Sequence, residues 1–288
     1  MESTILKNIL KRKRKNYRCF EIEHFNGKIR TVQSPRTYLK VVQWWILDNI
    51  LAKYEHDDCI HGFVKGRSYY SNAKVHHGAR HLLTLDIKNF FPNIKSNQVA
   101  SVFEGFGYAA GSAKILTEIC TLSERLPQGA PTSPSISNIA FSRIDDELKK
   151  VSAEAGFIYS RYADDLTFSG QEYIKKSFYK EVKRIVVTGG FNLNEEKTRF
   201  LGVGDKMEVT GLVINDKIQL PRKWRLRARA MFHQASIGPE NYTERVRELY
   251  GVLNTLKQFE EIEKTNLILA GENAIKKVLS YSKSAQKA

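Results

Sequence analysis

Cysteine is scarce in this chain, acidic residues are outnumbered, and long apolar runs do not occur. The three cysteines, Cys19, Cys59 and Cys120, are too few and too scattered for a disulfide framework or a zinc site. They read as reduced thiols in a cytoplasmic protein, mostly core filler. No apolar stretch reaches the ~18–20 residues that a membrane-spanning helix needs. The N-terminus is charged but lacks the apolar heart of a signal peptide. No membrane partner is expected. Internal repeats and low-complexity linkers are also missing. Asp and Glu number 31 against 46 Lys and Arg, a formal charge of +15 over 288 residues. An excess of that size points to a polyanionic partner, nucleic acid first. The hydrophobic share of 42% is enough for a real core. The length suits one large domain or two modest ones.

What is present centres on residues 157–168, Phe-Ile-Tyr-Ser-Arg-Tyr-Ala-Asp-Asp-Leu-Thr-Phe. β-branched and aromatic residues flank a small Ala163 and an acidic pair, so the stretch reads as strand, tight turn, strand. A plain hairpin would more often use Asn-Gly or Asp-Gly at its tip. A solvated acidic turn also fits the hairpin alone. A second acid changes the balance. In residues 81–94 an apolar run, Leu82-Leu83-Thr84-Leu85, feeds Asp86, and Phe90-Phe91 follows. A carboxylate ending a buried strand is costly unless it is paired or binds a cation. If Asp86, Asp164 and Asp165 converge, they suit hard divalent cations, and magnesium held together with substrate phosphates fits best. Two such ions about 3.5–4 Å apart would clamp the attacking and leaving oxygens of a phosphoryl transfer.

Three motifs in order then carry a resemblance. Tyr162-Ala163-Asp164-Asp165 resembles the catalytic box of reverse transcriptases. Asp86 with Phe90-Phe91 resembles their first catalytic motif. Residues 126–134, Leu-Pro-Gln-Gly-Ala-Pro-Thr-Ser-Pro, resemble their nucleotide-binding motif. The resemblance covers about residues 35–220 by motif. It implies a two-metal Mg2+ site at Asp86, Asp164 and Asp165, with the Ile87 carbonyl as a further ligand. It also implies Phe91 as a steric gate against a ribose 2′-hydroxyl, Gln128 against the incoming nucleotide, and Tyr162 near the primer end. Asn192-Leu193-Asn194-Glu195-Glu196-Lys197 resembles the following motif, whose Lys approaches the pyrophosphate. Lys197 also reads as an ordinary surface lysine. Asn72-Ala73-Lys74-Val75-His76 and Val209-Thr210-Gly211 match two retron-type signatures, candidate RNA or primer contacts at Asn72, His76, Val209, Thr210 and Gly211. His76 equally suits a core or capping position.

In chain order, residues 4–10 read as a short amphipathic helix, and Lys11-Arg12-Lys13-Arg14-Lys15 as a solvated face or a phosphate contact. Residues 20–32 alternate around Asn26-Gly27, a hairpin. A helix is expected over about 39–53, with Val42, Trp45, Ile46, Asn49 and Ile50 on one face. In His61-Gly62-Phe63-Val64-Lys65-Gly66-Arg67-Ser68 the glycines permit close backbone approach. Lys65 and Arg67 are candidates for gripping a triphosphate, although a solvated loop also fits. Helices are expected over 95–107, 112–123, 135–150 and 173–187, and a hairpin over 207–220. From residue 220 the pattern is helical. Trp224, Ala228, Met231 and Phe232 form a stripe flanked by Arg222, Arg225 and Arg229, candidate RNA contacts. Asn241 with Glu244 reads as a capping box, and a last helix is expected over 262–281.

The expected fold is α+β, a right-hand polymerase with fingers, an antiparallel-sheet palm and a helical thumb. The expected domains are 1–219 and 220–288. The resemblance implies a retron enzyme that uses deoxynucleoside triphosphates to copy a cognate structured noncoding RNA into a branched RNA–DNA product. It further implies an effector protein from the same operon and a role in antiphage defence. Alternatives are a group II intron or diversity-generating reverse transcriptase, an RNA-synthesising polymerase, and a catalytically silent RNA-binding scaffold.

Overall fold

The computed structural model describes residues 10–23, 29–259 and 266–285. The chain divides into two compact units, Met1–Asp205 and Lys206–Ala288. By compactness, residues 206–219 group with the C-terminal helices, whereas the sequence division falls at 219/220.

In the first unit, β1 (Tyr17–Glu23) and β2 (Ile29–Pro35) pair antiparallel, from Tyr17 opposite Pro35 to Glu23 opposite Ile29. The Asn26-Gly27 bend lies outside the described residues, as does the helix expected over 4–10 except for Leu10. Helix α1 (Thr37–Asn49) follows, then a 3-10 turn, Leu51–Lys53. Its buried face is Leu39, Gln43 and Ile46, and Trp45 is 59% exposed, contrary to the expected face. The cause is Gln43. Its amide donates to the Tyr17 hydroxyl at 3.0 Å and the Ile119 carbonyl at 2.8 Å. A polar residue so satisfied can sit at the centre of a buried face, and apolar periodicity passes over it.

Next come α2 (Tyr69–Val75), β3 (His81–Asp86) and the single turn α3 (Phe90–Asn93). They lead to α4 (Ser96–Gly105), α5 (Ala110–Cys120) and the 22-residue α6 (Ser133–Glu154). Pro134 lies in the first turn of α6, where a missing N–H costs nothing. Strands β4 (Ile158–Tyr162) and β5 (Asp165–Gly170) form the predicted hairpin. Helix α7 (Lys176–Thr188) and β6 (Arg199–Leu201) complete the unit. The sheet runs β4-β5-β3-β6, with every pair antiparallel.

The two faces of this sheet differ in chemistry. Leu83, Leu85, Tyr159, Leu166 and Phe168 share one face and join the core with Ile136, Phe141, Ile144 and Leu148 of α6. Ser160, Thr167 and Ser169 lie on the other, where Asn72 of α2 and His76, which caps its C-terminus, bond to Ser160 and Ser169. Both faces are covered, which is why β5 is buried from Leu166 to Gly170.

In the second unit, β7 (Glu208–Val209) and β8 (Leu212–Val213) form a short hairpin. Thr210 and Gly211 at its tip have φ of 47° and 81°, the signature of a type I′ turn. Helices α8 (Arg222–Ile237), α9 (Val246–Phe259) and α10 (Asn266–Ala285) follow. Ala228, Phe232 and Ala235 of α8 are buried with Leu249, Leu253 and Leu256 of α9. A Cβ at Gly271 of α10 would lie 2.8 Å from the Phe232 ring, so glycine there allows the close approach. Trp224 and Met231 are only half-buried. The expected capping box is absent, because Pro239–Tyr242 forms a 3-10 turn and α9 starts at Val246. The expected start of the last helix, at 262, lies outside the described residues.

Candidate active site

Asp86 ends β3 directly opposite Asp165, the first residue of β5. Cross-strand partners put their side chains on the same face. Asp164 sits in the turn between β4 and β5, whose Ala163 is left-handed at φ 58°. The Ile87 N–H donates to the Asp164 carbonyl at 2.9 Å, and the Asn194 N–H to the Asp86 carbonyl at 2.8 Å. These bonds tie the turn and the segment carrying Lys197 to the end of β3. The Lys197 ammonium pairs with Asp86 Oδ2.

Neighbouring acids disfavour the charged forms of Asp164 and Asp165. Burial first, then Asp164 and Asp86, push Asp165 up to about 7, although one edge of it is open to solvent. Asp164 is also raised, mainly by burial and further by Asp86. As placed, no group of three metal-ligating side chains among the described residues meets coordination distance. The donor set still fits a divalent cation in kind. It consists of hard oxygens whose crowded charge such an ion relieves, and Lys197 now supplies one positive charge to Asp86.

Behind the turn lies a buried polar hub. Arg161 is fully buried on the apolar side of the sheet. Its Nε and Nη2 donate to the two Asp145 carboxylate oxygens of α6 at 2.8 and 2.7 Å. Its Nη1 reaches Asn138 Oδ1 at 2.9 Å and the Ala163 carbonyl at 3.1 Å. The Tyr159 hydroxyl also donates to Asp145, and the guanidinium lies over the rings of Phe90 and Phe141. The hub therefore fixes the β4–β5 turn that carries Asp164 to α6. Arg161 and Asp145 were not singled out in the sequence. Their only signal is an Arg within an otherwise apolar-facing strand.

The other face carries a second network. The His76 ring nitrogens lie 2.6 Å from the hydroxyls of Ser160 and Ser169, and Ser160 donates to Asn72 Oδ1 at 2.7 Å. Burial pushes the His76 pKa down to about 3, so the ring is neutral. Asn72 and His76 are fully buried. They brace β4 and β5 and present no surface to a ligand.

In front of Asp86 and Asp164 opens a cavity of about 700 Å³, lined also by Phe91, Gln128, Lys197 and Ile87. The nucleotide motif is fixed there because the Gln33 N–H of β2 donates to the Gln128 carbonyl at 2.7 Å. Arg30, Lys88 and Arg125 line the same cavity, basic residues that the sequence reading passed over. Arg30 falls within the alternation of the β1–β2 hairpin, its only signal. Lys65 is exposed and is not part of the lining. Arg67 departs from its expected grip on phosphates. Its guanidinium is spent on the carbonyls of Asp57, Ile60 and His56 and on the Asp58 carboxylate. It closes the 56–60 loop because four acceptors converge on one fork. Tyr162 is half-buried at the end of β4, opposite Asp165.

In the second unit, Val209 is buried and Gly211 is exposed at the hairpin tip. Arg222 and Arg229 are exposed, and Arg225 is half-buried. Arg222, Leu226, Arg229 and His233 recur every three to four residues along the solvent side of α8. Among the described residues no helix is long and apolar enough to cross a membrane.

The family profile described as reverse transcriptase (RNA-dependent DNA polymerase) matches residues 10–214. The chain belongs to the reverse transcriptase family. Among curated relatives of this reverse transcriptase, retron Ec86 reverse transcriptase of Escherichia coli is 36% identical over 80% of this chain and 73% of that protein. Retron Mx65 reverse transcriptase of Myxococcus xanthus is 35% identical over 76% of this chain and 56% of that protein. Retron Ec83 reverse transcriptase of Escherichia coli is 27% identical over 93% and 91%. Among solved structures, apo telomerase from Candida tropicalis superposes with a TM-score of 0.51 at 12% identity, over 92% of this chain and 62% of that one. At that identity the likeness is one of fold, and the fold is the expected α+β right-hand polymerase.

Proposed function

We propose that this reverse transcriptase is a retron RNA-directed DNA polymerase. It copies a cognate structured noncoding RNA into a branched RNA–DNA product. One observation carries the polymerase reading: Asp86 and Asp165 face each other across one strand pair, and Asp86 and Asp164, the latter in the β4–β5 turn, line a cavity that also bears Phe91, Gln128 and Lys197. The retron reading is supported by likeness to three retron enzymes and by the Asn72-to-His76 and Val209-to-Gly211 signatures.

In this reading a primer hydroxyl attacks the α-phosphate of a deoxynucleoside triphosphate, and pyrophosphate leaves. Asp86, Asp164 and Asp165, with the Ile87 carbonyl, would hold Mg2+, and that ion would supply positive charge against the developing phosphate charge. The chain's remaining part is positioning, since phosphoryl transfer asks little covalent chemistry of a protein. Phe91 gates the sugar, Gln128 backs the nucleotide and Tyr162 borders the primer end. Arg30, Lys88 and Arg125 give the cavity a positive wall for the triphosphate. Lys197, paired with Asp86 here, would be free to approach the pyrophosphate once that pairing is relieved. The exposed stripe of Arg222, Leu226, Arg229 and His233 tracks a duplex by shape and phosphate contact. The same reading places the enzyme in the cytoplasm, beside an effector protein of its operon, in antiphage defence.

The test is to purify the chain from its native operon with bound nucleic acid and digest that material with RNase and DNase separately. A short discrete DNA joined to RNA, absent from Asp164→Ala, is the expected result. RNA alone, identical in both proteins, would replace this reading with a binding scaffold. DNA made only on added primer and template would point to another class of bacterial reverse transcriptase.

A further inference from the structure

We infer that Phe63 is a specificity-determining residue, a second aromatic wall of the nucleotide cavity that braces Phe91 and so sets discrimination between deoxyribose and ribose. The inference rests on the polymerase reading and on Phe91 as its sugar gate.

Phe63 is anomalous in two ways. Its φ is 61°, a left-handed conformation that bulky L side chains rarely adopt. Its ring is 49% exposed, although an aromatic of that size usually finds a place in the core. Strained, exposed bulk that persists is held by its surroundings, and such positions cluster at functional sites. Here the surroundings are visible. The His61 N–H donates to the Arg161 carbonyl at 2.8 Å, and Asn138 Nδ2 donates to the Gly62 carbonyl at 2.8 Å. Gly62 packs so tightly on the backbone of Tyr162 and Ala163 that a Cβ there would overlap it. The backbone just before Phe63 is thereby indexed to the turn that carries Asp164.

The ring it presents lines the same cavity as Asp86, Asp164, Phe91 and Gln128. Its centroid lies 6.2 Å from that of Phe91, with the planes tilted by 49°. Phe91 rests on Phe90 at 5.6 Å, and Phe90 is itself set against Phe141 and Phe191 at 5.6 and 5.9 Å. Phe91 thus has two aromatic neighbours, Phe90 from the core and Phe63 from the cavity wall. A gate excludes a hydroxyl only if its ring cannot yield, and without Phe63 the Phe91 ring loses one of its two aromatic neighbours.

The test uses the full chain, an annealed RNA template with a DNA primer, and single-nucleotide addition of a deoxynucleotide and its ribonucleotide analogue. In Phe63→Ala the ratio of the two kcat/KM values falls about tenfold, the scale on which a pocket judges one small group. Phe63→Leu gives an intermediate ratio, and the thermal midpoints of both variants match wild type. Equal loss for both nucleotides, with the ratio unchanged, overturns the inference in favour of a merely structural ring. Weaker template binding with the ratio unchanged overturns it in favour of a base-stacking role. Where Phe63→Ala fails to fold, the ratio in Phe63→Leu decides. A wild-type chain that adds neither nucleotide removes the basis of the inference, and the native-operon preparation then judges the polymerase reading separately.

Discussion

Asp145→Asn should be one of the most damaging isosteric changes in the molecule. Asp145 and Arg161 are both buried, and two short bonds join them. Asparagine keeps the shape but removes the charge, and it turns one acceptor into an N–H that faces the guanidinium. Breaking one side of a buried ion pair costs about 3–5 kcal/mol, because the remaining charge has no compensation. For a unit of this size that lowers the thermal midpoint by roughly 10 °C. Urea unfolding gives the stability directly. Activity carries independent information. Arg161 Nη1 also holds the Ala163 carbonyl, so nucleotide addition per folded molecule should fall as well. The double variant Asp145→Leu/Arg161→Met separates the two effects, since an apolar pair of similar volume often restores stability. It should refold to near wild-type stability and stay inactive. Asp145→Asn within 1 kcal/mol of wild type, or a double variant with full activity, would refute the assignment of the hub to the catalytic turn.

Other outcomes follow from the same geometry. Burial holds His76 at a pKa of about 3, while the unfolded ring titrates near 6.5, so the unfolded chain binds more protons between those values. Stability from this residue is complete above 6.5 and falls as pH drops towards 3, by about 2 kcal/mol at pH 5. Urea midpoints across that range should show a shallower slope in His76→Gln than in wild type. Gly62→Ala forces a Cβ into the backbone of Ala163 and should cost about a hundredfold in nucleotide addition through misplacement of the turn. Wild-type rates there would mean the loop moves freely. Lys197→Ala removes the ammonium that competes for Asp86. Magnesium titration of activity should then half-saturate at up to about fivefold lower concentration, the worth of a part-exposed pair, while the maximal rate falls. An unchanged midpoint would detach Lys197 from the metal site.

Much of the fold was legible because its signals are local. The β4–β5 hairpin, the long α6 and the three C-terminal helices follow from alternation, proline position and 3.6-residue periodicity. An apolar run ending in an acid marked Asp86 as a candidate; that it meets the Asp pair was implied only by the resemblance, and the structure sets Asp86 opposite Asp165. What escaped are contacts between residues distant in sequence. Gln43 faces inward because a carbonyl 76 residues away accepts from it. Asp145 reads as one more charge on an amphipathic helix until Arg161 lies beneath it. Arg67 reads as a phosphate ligand in a glycine-flanked loop, yet the carbonyls of residues 56–60 turn towards it and occupy the fork. The ring of Phe63 was passed over because nothing in a linear reading marks a left-handed backbone at phenylalanine.

The unlike faces of the central sheet act as a check on alignment. A slip of one residue between β3 and β5 would set Leu166 opposite Asp86 and would also turn Phe168 towards the polar layer that holds His76 and turn Ser169 towards the core. Every rung of the ladder would then be mismatched at once. The meeting of Asp86 with Asp165 is therefore enforced by residues that never touch substrate. A chain that has formed this sheet in its stable register has already brought its acids together, so misaligned molecules are removed by instability before they can act as faulty enzymes.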